Sequence, residues 1–377
     1  MQAKKSSLQT RKTLQYALVG NLLITMSKLL AYMHSGSSAM FNEAVHSAVD
    51  CGNQGLLMIG LRDVGREKDE RHPYGYGKSL YFWSLVSALG TFWLGAGVSL
   101  SHSITSLLHP SLDEITWHVW AVLGFSLLAD GAVLRNVIVN INEHRDKSVS
   151  FIQHVKKIRD PATIAVLLED SAACAGVAIA SVGIALSHAT YDPYYDSVAS
   201  VAISLLLAGM GVSLARLNQR YLLGQSVDDD ILRGIRELLL SRDSIDNVLS
   251  VQTQWVGPYS FSYKAEVDID GTYLAAKLMD RYELEFMKAH SEGKMGNDCR
   301  LLLSWYAEDV MRMVEREVKD IEVEIRSHYP QAAYIELEPD SKESDLLIID
   351  GKKRREEVEK LNGMIERLKD KLSMKEK

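Results

Sequence analysis

Six long apolar stretches in the first 216 residues constrain the fold more than any other feature of this sequence. A helix needs about 20 apolar residues to cross a bilayer, and each stretch is of that order. Buried helices of a water-soluble core rarely follow one another six times with such short links. We therefore predict six transmembrane helices, at residues 14–34, 39–61, 80–107, 117–140, 162–188 and 196–216.

The links between these spans alternate in charge. The basic segments carry 4, 5 and 5 Lys or Arg residues and are 1–13, 62–78 and 144–160. The segments without Lys or Arg are 34–38, 108–116 and 189–195. The positive-inside rule then places both chain termini on the same, cytosol-like side. The basic segment 1–13 lacks a separate apolar region and a cleavage site, so we do not expect a cleaved secretory signal.

Charge separates the chain into two parts. Residues 1–225 hold 18 basic and 16 acidic residues, whereas residues 226–377 hold 24 and 33. This predicts lipid around the first part and water around an acidic second part, which excludes a nucleic-acid-binding protein. The three cysteines, Cys51, Cys174 and Cys299, lack CxxC spacing, which argues against a disulfide framework or a zinc–thiolate site.

Ionisable residues inside a predicted span are candidate functional groups. In span 2, His46 and Asp50 are four residues apart and share a helix face with Glu43, and Asn53 lies one turn further on. An imidazole and a carboxylate one turn apart suit a divalent ion such as Zn²⁺. A structural hydrogen bond between helices is the alternative. Lys28 in span 1 is expected to pair or to reach the interface.

Spans 4 and 5 carry further polar residues. Glu169 and Asp170 are adjacent in span 5, about 100° apart around the helix, so only one can point squarely at a given partner. Cys174, four residues after Asp170, is either a soft ligand or a small packing residue. Asp130 and Arg135 in span 4 predict either an ion pair between helices or a role in transport.

Together, the six spans, the HxxxD of span 2 and HPYGYGK at 72–78 resemble the cation diffusion facilitator family of metal transporters. The similarity covers roughly residues 14–340. Three segments resemble its zinc transporter nine branch in particular. They are SGSSAMFNEAVHSAVDCGNQGLL (35–57), RHPYGYGK (71–78) and VLLEDSAACAGVAIA (166–180).

This resemblance implies a homodimer that exchanges a divalent cation, usually Zn²⁺, for protons, with no organic cofactor. It also implies four ligands, two from span 2 and two from span 5. His46 and Asp50 match the first pair, and Asp170 matches one member of the second. The other position, four residues earlier, is Val166 here. Glu169 is our first choice for the fourth ligand, with Glu43, Cys174 or water as alternatives.

Some family members also bind a metal in the loop after span 2, through one Asp and two His. Asp69 and His72 match two of those positions. Tyr76 stands in place of the second His, so we expect this site to be weak or absent.

Residues 226–340 are predicted to form a small α+β domain on the cytosol-like side, with the ferredoxin-like fold that the resemblance implies. The predicted elements are a helix (228–240), two strands (247–256 and 258–269), a helix (304–328) and a strand (332–338). Residues 271–303 form an insertion with partly helical character that the sequence leaves unexplained. With only His290 and His328, this domain is expected to be mainly structural or dimerising. Residues 351–377 predict a charged helix, either solvated or in a short coiled coil.

The whole is therefore predicted to be an α-helical membrane protein, with a six-transmembrane-helix bundle at 14–216, a ferredoxin-like domain and a C-terminal helix. We expect a Zn²⁺/H⁺ antiporter that works by alternating access, and not an enzyme. The alternatives are Mn²⁺, Fe²⁺ or Co²⁺ as cargo, or a metal sensor or scaffold that does not transport. The expected membrane is the mitochondrial inner membrane in a eukaryote and the plasma membrane in a bacterium.

Overall fold

The computed structural model describes residues 2–109, 117–143, 145, 150–340, 358–359 and 361–367. These residues form two compact units. The first lies within 1–225 together with 256–259, and the second within 226–255 and 260–377. Parts of the predicted links 108–116 and 144–160, and most of the predicted tail 351–377, lie outside the described residues.

The first unit is built from helices that follow the predicted spans closely. They are α1 (Gln2–Ser35), α2 (Ser38–Val64), α3 (Ser79–Gly90), α4 (Gly97–Leu108), α5 (Trp117–Glu143), α6 (Phe151–Lys157), α7 (Pro161–Thr190) and α8 (Tyr194–Leu222). A π-helical turn, Thr91–Ala96, joins α3 to α4 without a break. Predicted span 3 is therefore continuous, but it contains an irregular turn of a kind frequent at functional sites.

Four helical stretches among the described residues are long and apolar enough to cross a membrane. They are Ser79–Leu108, Trp117–Glu143, Pro161–Thr190 and Tyr194–Leu222. Helices α1 and α2 have 34 and 27 residues, so they are also long enough. The buried face of α2 carries ionisable and amide side chains, which lower its mean hydropathy.

Polar caps determine where two of the long helices begin. Ser37 precedes α2, and its hydroxyl accepts a hydrogen bond from the Met40 amide at 3.2 Å. Asp160 precedes α7 in the same way and accepts from the Ala162 amide at 3.1 Å. Pro161, at the first position of α7, has no amide hydrogen to leave unpaired. These caps satisfy backbone donors that a helix cannot satisfy itself.

The first unit exposes many large apolar side chains and buries ionisable side chains beside its apolar core clusters. Large apolar residues such as Leu23, Trp93 and Leu128 are exposed. Lys28 and Glu43, in contrast, are completely buried. Such a distribution is typical of a helical membrane protein, in which lipid surrounds the apolar surface and ionisable groups face the bundle interior.

The second unit combines a three-stranded sheet with helices. Its elements are α9 (Asp229–Leu240), β1 (Ile245–Gly257), β2 (Ser260–Ile269), α10 (Gly271–Ser291), α11 (Met295–His328) and β3 (Ala332–Asp340). The strand order is β1-β2-β3, with β3 parallel to β2. Alternate residues of β2 are buried, as a half-buried strand requires; they are Phe261, Tyr263, Ala265 and Val267.

The predicted insertion 271–303 is mostly helical. It forms α10 and the first turns of α11, which begins nine residues before the predicted helix at 304. An ion pair between Arg281 and Asp309 (3.2 Å) and a hydrogen bond from the Tyr282 hydroxyl to Asp309 (2.8 Å) join the two helices. The described tail residues are helical. Leu361 and Ile365 from that tail line an apolar groove beside α10 and α11.

A polar cluster ties the turn after α9 to α11. Arg242 pairs with Glu317 at 3.0 Å and also with Glu324. The Ser244 hydroxyl donates to Glu317 at 2.6 Å. Burial alone would raise the pKa of Glu317, but the hydrogen bonds from Ser244 and Arg242 outweigh burial and hold this pKa below its usual value. Glu317 is therefore a charged anchor between elements of the second unit.

Candidate metal site

One face of α2 carries four buried polar side chains in succession: Glu43, His46, Asp50 and Asn53. Their spacing of three or four residues matches the helical repeat, so they form one stripe along the helix. Charged or amide groups at such positions are costly among apolar helices and are retained for function or for a specific pairing. Glu43, Asp50 and Asn53 interact with groups on other helices.

His46 and Asp50 lie next to each other at the centre of this stripe. His46 Nε2 and Asp50 Oδ2 are 3.5 Å apart, and both side chains are buried. Among the described residues, neither ring nitrogen of His46 has a hydrogen-bond partner, nor does Asp50 Oδ1. Buried polar atoms are normally paired. The pair therefore presents nitrogen and oxygen donors whose chemistry suits a divalent ion.

The two acidic residues of α7 have different surroundings. Glu169 accepts a hydrogen bond from the Asn53 side-chain amide at 2.9 Å. Asp170 is also buried, and its Oδ2 has no hydrogen-bond partner within the described chain. Both carboxyl groups are near enough to Asp50 to interact with it electrostatically. Asp170 thus has an oxygen without a hydrogen-bond partner among the described residues, whereas Glu169 already accepts from Asn53.

Asn53 also connects α7 to the π-helical turn. Its amide donates to the Thr91 hydroxyl at 3.1 Å as well as to Glu169. All three side chains are buried. Asn53, predicted only as an intramembrane polar residue, is therefore a bridge between three helical segments.

Glu43 and Lys28 form an ion pair inside the bundle. Lys28 Nζ on α1 lies 2.8 Å from Glu43 Oε2 on α2, and both side chains are completely buried. Of the two alternatives predicted for Lys28, the structure shows pairing, and the partner is a residue that the sequence suggested as a metal ligand. One oxygen of Glu43 is thus taken by an internal cation.

The remaining predicted positions show no hydrogen bond to this arrangement among the described residues, but two of them are near it. Asp130 on α5 is close enough to Lys28 and Asp50 to interact with them electrostatically, and Cys174 is close enough to Asp170. Asp130 accepts a hydrogen bond from Ser126, one turn earlier on α5, at 2.8 Å. Arg135 is exposed, and no ion pair joins it to Asp130 in the described residues. Cys174 and Val166 on α7 are half-buried. Across the described part of the chain, no three His, Cys, Asp or Glu side chains converge closely enough to hold a metal ion in this conformation.

The loop positions Asp69, His72 and Tyr76 do come together. The Tyr76 hydroxyl donates to Asp69 Oδ2 at 2.7 Å, and His72 Nδ1 lies 3.3 Å from Asp69 Oδ1. The rings of His72 and Tyr76 are 4.4 Å apart. Hydrogen bonding from Tyr76 lowers the pKa of Asp69. The Tyr76 hydroxyl is thus hydrogen-bonded to the Asp69 carboxylate that a metal ion would need as a ligand.

A cluster of hydroxyl groups beside the stripe was not predicted from the sequence. The side-chain amide of Asn42, one turn before His46, bonds to three serine hydroxyls at 2.8, 2.7 and 3.0 Å, those of Ser103, Ser200 and Ser204. These bonds join α2 to α4 and α8. The available signal was the spacing of Ser200 and Ser204, four residues apart in an apolar span, which is typical of polar contacts between membrane helices.

Comparison with known proteins gives an independent indication of what this chain is similar to. Residues 14–223 match the family model of the cation efflux transmembrane domain. Over 333 residues, 87% of the chain, the sequence is 33% identical to the mitochondrial proton-coupled zinc antiporter SLC30A9 of Xenopus laevis. This match covers 59% of that relative's length.

Two other relatives are similar over a large part of the chain. Metal tolerance protein C4 of Arabidopsis thaliana is 30% identical over 87% of this chain and 73% of its own length. The magnetosome protein MamB of Paramagnetospirillum magneticum is 24% identical over 67% of this chain and 80% of its own length.

Proposed function

This chain belongs to the cation efflux family, the cation diffusion facilitators, and from that membership we propose that it exchanges a divalent metal cation, with Zn²⁺ as the first candidate, for protons across a membrane. The observation that carries this proposal is the buried His46–Asp50 pair, whose donor atoms lack partners among the described residues. Relatives named as proton-coupled zinc antiporters support the choice of cargo and of counter-ion.

In the proposed site, His46, Asp50 and Asp170 bind the transported ion. Each must be deprotonated to act as a ligand, so protons leave as the metal enters. Protonation of the same groups on the other side of the membrane weakens them as ligands and releases the metal. Competition for one site couples the two fluxes without a separate proton channel.

Because no three donors meet in the described conformation, metal binding requires α7 to move relative to α2 until Asp170 approaches the His46–Asp50 pair. This movement is our proposed step toward alternating access. Glu169 and Glu43 already have the partners Asn53 and Lys28. Water or Cys174 therefore suits the fourth position better than Glu169, our first choice from sequence.

The remaining parts of the proposal concern assembly and location. We propose six spans, both termini on the cytosol-like side, a homodimer, and a ferredoxin-like second unit with a dimerising role. The expected membrane is the mitochondrial inner membrane if the source is eukaryotic and the plasma membrane if it is bacterial. The similarity to proteins named as transporters favours a transporter over an enzyme.

Zinc-driven proton flux in proteoliposomes tests this proposal. His46→Ala and Asp50→Ala should abolish the flux, because each removes a side chain that binds the ion directly. His188→Ala, which replaces an exposed histidine near the end of α7, serves as the matched control and should retain it. Intact flux in both site variants would refute the proposed site.

Two alternatives remain open to experiment. Imidazole and carboxylate ligands do not separate Zn²⁺ from Fe²⁺ or Co²⁺, and competition between these ions and Mn²⁺ for uptake would identify the cargo. Val166, at the position where the family resemblance implies a second ligand on α7, motivates a metal sensor or scaffold that does not transport as the second candidate function. Zinc binding without zinc flux in the unaltered protein would support that candidate.

A further inference from the structure

The Lys28–Glu43 ion pair has no role in the proposed transport step, yet it is the most deeply buried charge pair in the described chain. Both side chains are fully inaccessible, and the charged atoms are 2.8 Å apart. Removing two charges from solvent is costly, and a buried ion pair seldom recovers this cost as stability. The packing of α1 against α2 would not require a buried ion pair.

The pair lies beside His46. Glu43 precedes His46 by three residues on α2, so the two side chains are neighbours on one helix face. A Cβ atom placed on Gly176 of α7 would overlap Glu43 Oε1 and would lie only 3.8 Å from His46 Nδ1. Glu43 Oε1 and His46 Nδ1 therefore border the same small space, which the absence of a side chain at Gly176 keeps open.

The two ring nitrogens of His46 thus face different carboxyl groups. Nε2 lies 3.5 Å from Asp50 Oδ2, whereas Nδ1 is on the side of Glu43. Within the described residues, both Nδ1 and Glu43 Oε1 are buried and without a hydrogen-bond partner. The second oxygen of Glu43 is held by Lys28, so Oε1 is the oxygen free to accept a hydrogen bond from the ring.

A histidine that binds a metal through one nitrogen usually donates its other N–H to a carboxylate or carbonyl, which selects the tautomer and fixes the ring. We propose that Glu43, anchored by Lys28, is this positioning residue, and that it accepts a hydrogen bond from His46 Nδ1 so that Nε2 faces the transported ion. The inference rests on the proposed function, in which His46 is a ligand. It gives Glu43 a role other than that of the fourth ligand.

Paired substitutions test the inference without leaving one charge buried alone. Lys28→Met with Glu43→Leu removes the acceptor, and we expect zinc affinity to fall about 10- to 100-fold, the usual effect of losing such an orienting partner. Lys28→Gln with Glu43→Gln keeps an amide oxygen that can accept from Nδ1, so it should retain most of the affinity. Asn218→Leu, which removes a buried amide bonded only to Leu214 of its own helix among the described residues, should leave the affinity unchanged.

The tautomer of His46 provides a readout that a merely structural role would not change. In ¹⁵N-histidine-labelled full-length protein with Zn²⁺, His46 should carry its proton on Nδ1 and bind the metal through Nε2. His46→Ala assigns the resonances. A proton on Nε2 in the unaltered protein would overturn the inference whether or not any variant folds. Unchanged zinc affinity in a folded Lys28→Met/Glu43→Leu variant would also overturn it.

Failure of this inference is distinguishable from failure of the proposed function. If His46→Ala leaves zinc binding intact, the proposed site itself is wrong. If His46→Ala abolishes zinc binding while Lys28→Met/Glu43→Leu does not weaken it, only the role of Glu43 is wrong.

Discussion

Replacing Asn53 with Leu should destabilise the helical unit through the loss of two buried hydrogen bonds. The Asn53 amide donates to Glu169 at 2.9 Å and to Thr91 at 3.1 Å. Leu has the same number and branching of side-chain heavy atoms as Asn and is the larger of the two, so the substitution leaves no cavity. The cost therefore arises from the hydrogen bonds and from the Glu169 carboxyl group, which then has no donor among the described residues.

The expected loss in free energy of unfolding follows from the chemical nature of the two hydrogen-bond partners. Hydrogen bonds between membrane helices are worth about 0.6 kcal/mol on average and at most about 1.7 kcal/mol. A bond to a charged or buried carboxyl group lies at the upper end of such ranges. The bond to Glu169 and the bond to Thr91 together predict a loss of about 2 kcal/mol. Thr91→Val removes the contact with Asn53 and the bond from the Thr91 hydroxyl to the Ser87 carbonyl of its own helix, but it leaves the bond to Glu169, so it should cost less, about 0.6 kcal/mol.

The assay is reversible unfolding of the full chain in mixed detergent micelles, followed by tryptophan fluorescence. A double-mutant cycle between Asn53→Leu and Glu169→Leu, each of which removes one partner of the hydrogen bond, then isolates the interaction of the two side chains. If Asn53→Leu costs no more than Thr91→Val, or if the cycle shows no coupling, Glu169 is not held by Asn53. In that case Glu169 returns as the leading candidate for the fourth metal ligand.

Three further predictions concern other parts of the chain. Arg242→Met should lower the free energy of unfolding of the second unit by about 1 kcal/mol at pH 7. Because the folded-state pKa of Glu317 is depressed, this difference is present above the unfolded pKa of about 4.3 and should vanish as the pH falls through the lower folded pKa. Denaturant titrations across pH 2–7 would measure it. Val166→His adds an imidazole one turn before the predicted α7 ligand and should tighten zinc binding, as measured by calorimetry; equal or weaker affinity would contradict the predicted ligand face. Tyr76→His should create a second zinc-binding site by freeing Asp69, and an unchanged binding stoichiometry would refute this reading of the loop.

The helices themselves were largely predictable from the sequence. A helix that crosses a bilayer must be apolar over the thickness of the hydrocarbon layer. The apolar stretches therefore marked α5, α7 and α8 to within about six residues at each end. The π-helical turn at Thr91–Ala96 was not predictable from the hydropathy pattern, because it changes the backbone hydrogen bonding and not the side-chain hydropathy. The insertion was predicted to be only partly helical, because α10 mixes polar and apolar residues along its length, and neither its extent nor its role was predicted.

The face of α2 was predictable, but its partners were not. Helical spacing places Glu43, His46 and Asp50 on one stripe without any knowledge of the tertiary structure. Whether Glu43 faces a metal or Lys28, and whether Asn53 faces solvent or Glu169, depends on which helices pack together. Asn53 and its partner are 116 residues apart in sequence, a separation that no local pattern encodes.

Uphill zinc accumulation in proteoliposomes tests the central claim most directly. Vesicles with an acidic interior and equal zinc concentrations on both sides are compared for the unaltered protein and Asp50→Ala. Proton efflux should drive zinc into vesicles with the unaltered protein, and collapsing the pH gradient or replacing Asp50 should abolish this accumulation. Accumulation that persists in Asp50→Ala, or none in the unaltered protein, would contradict an exchanger that works through the His46–Asp50 pair.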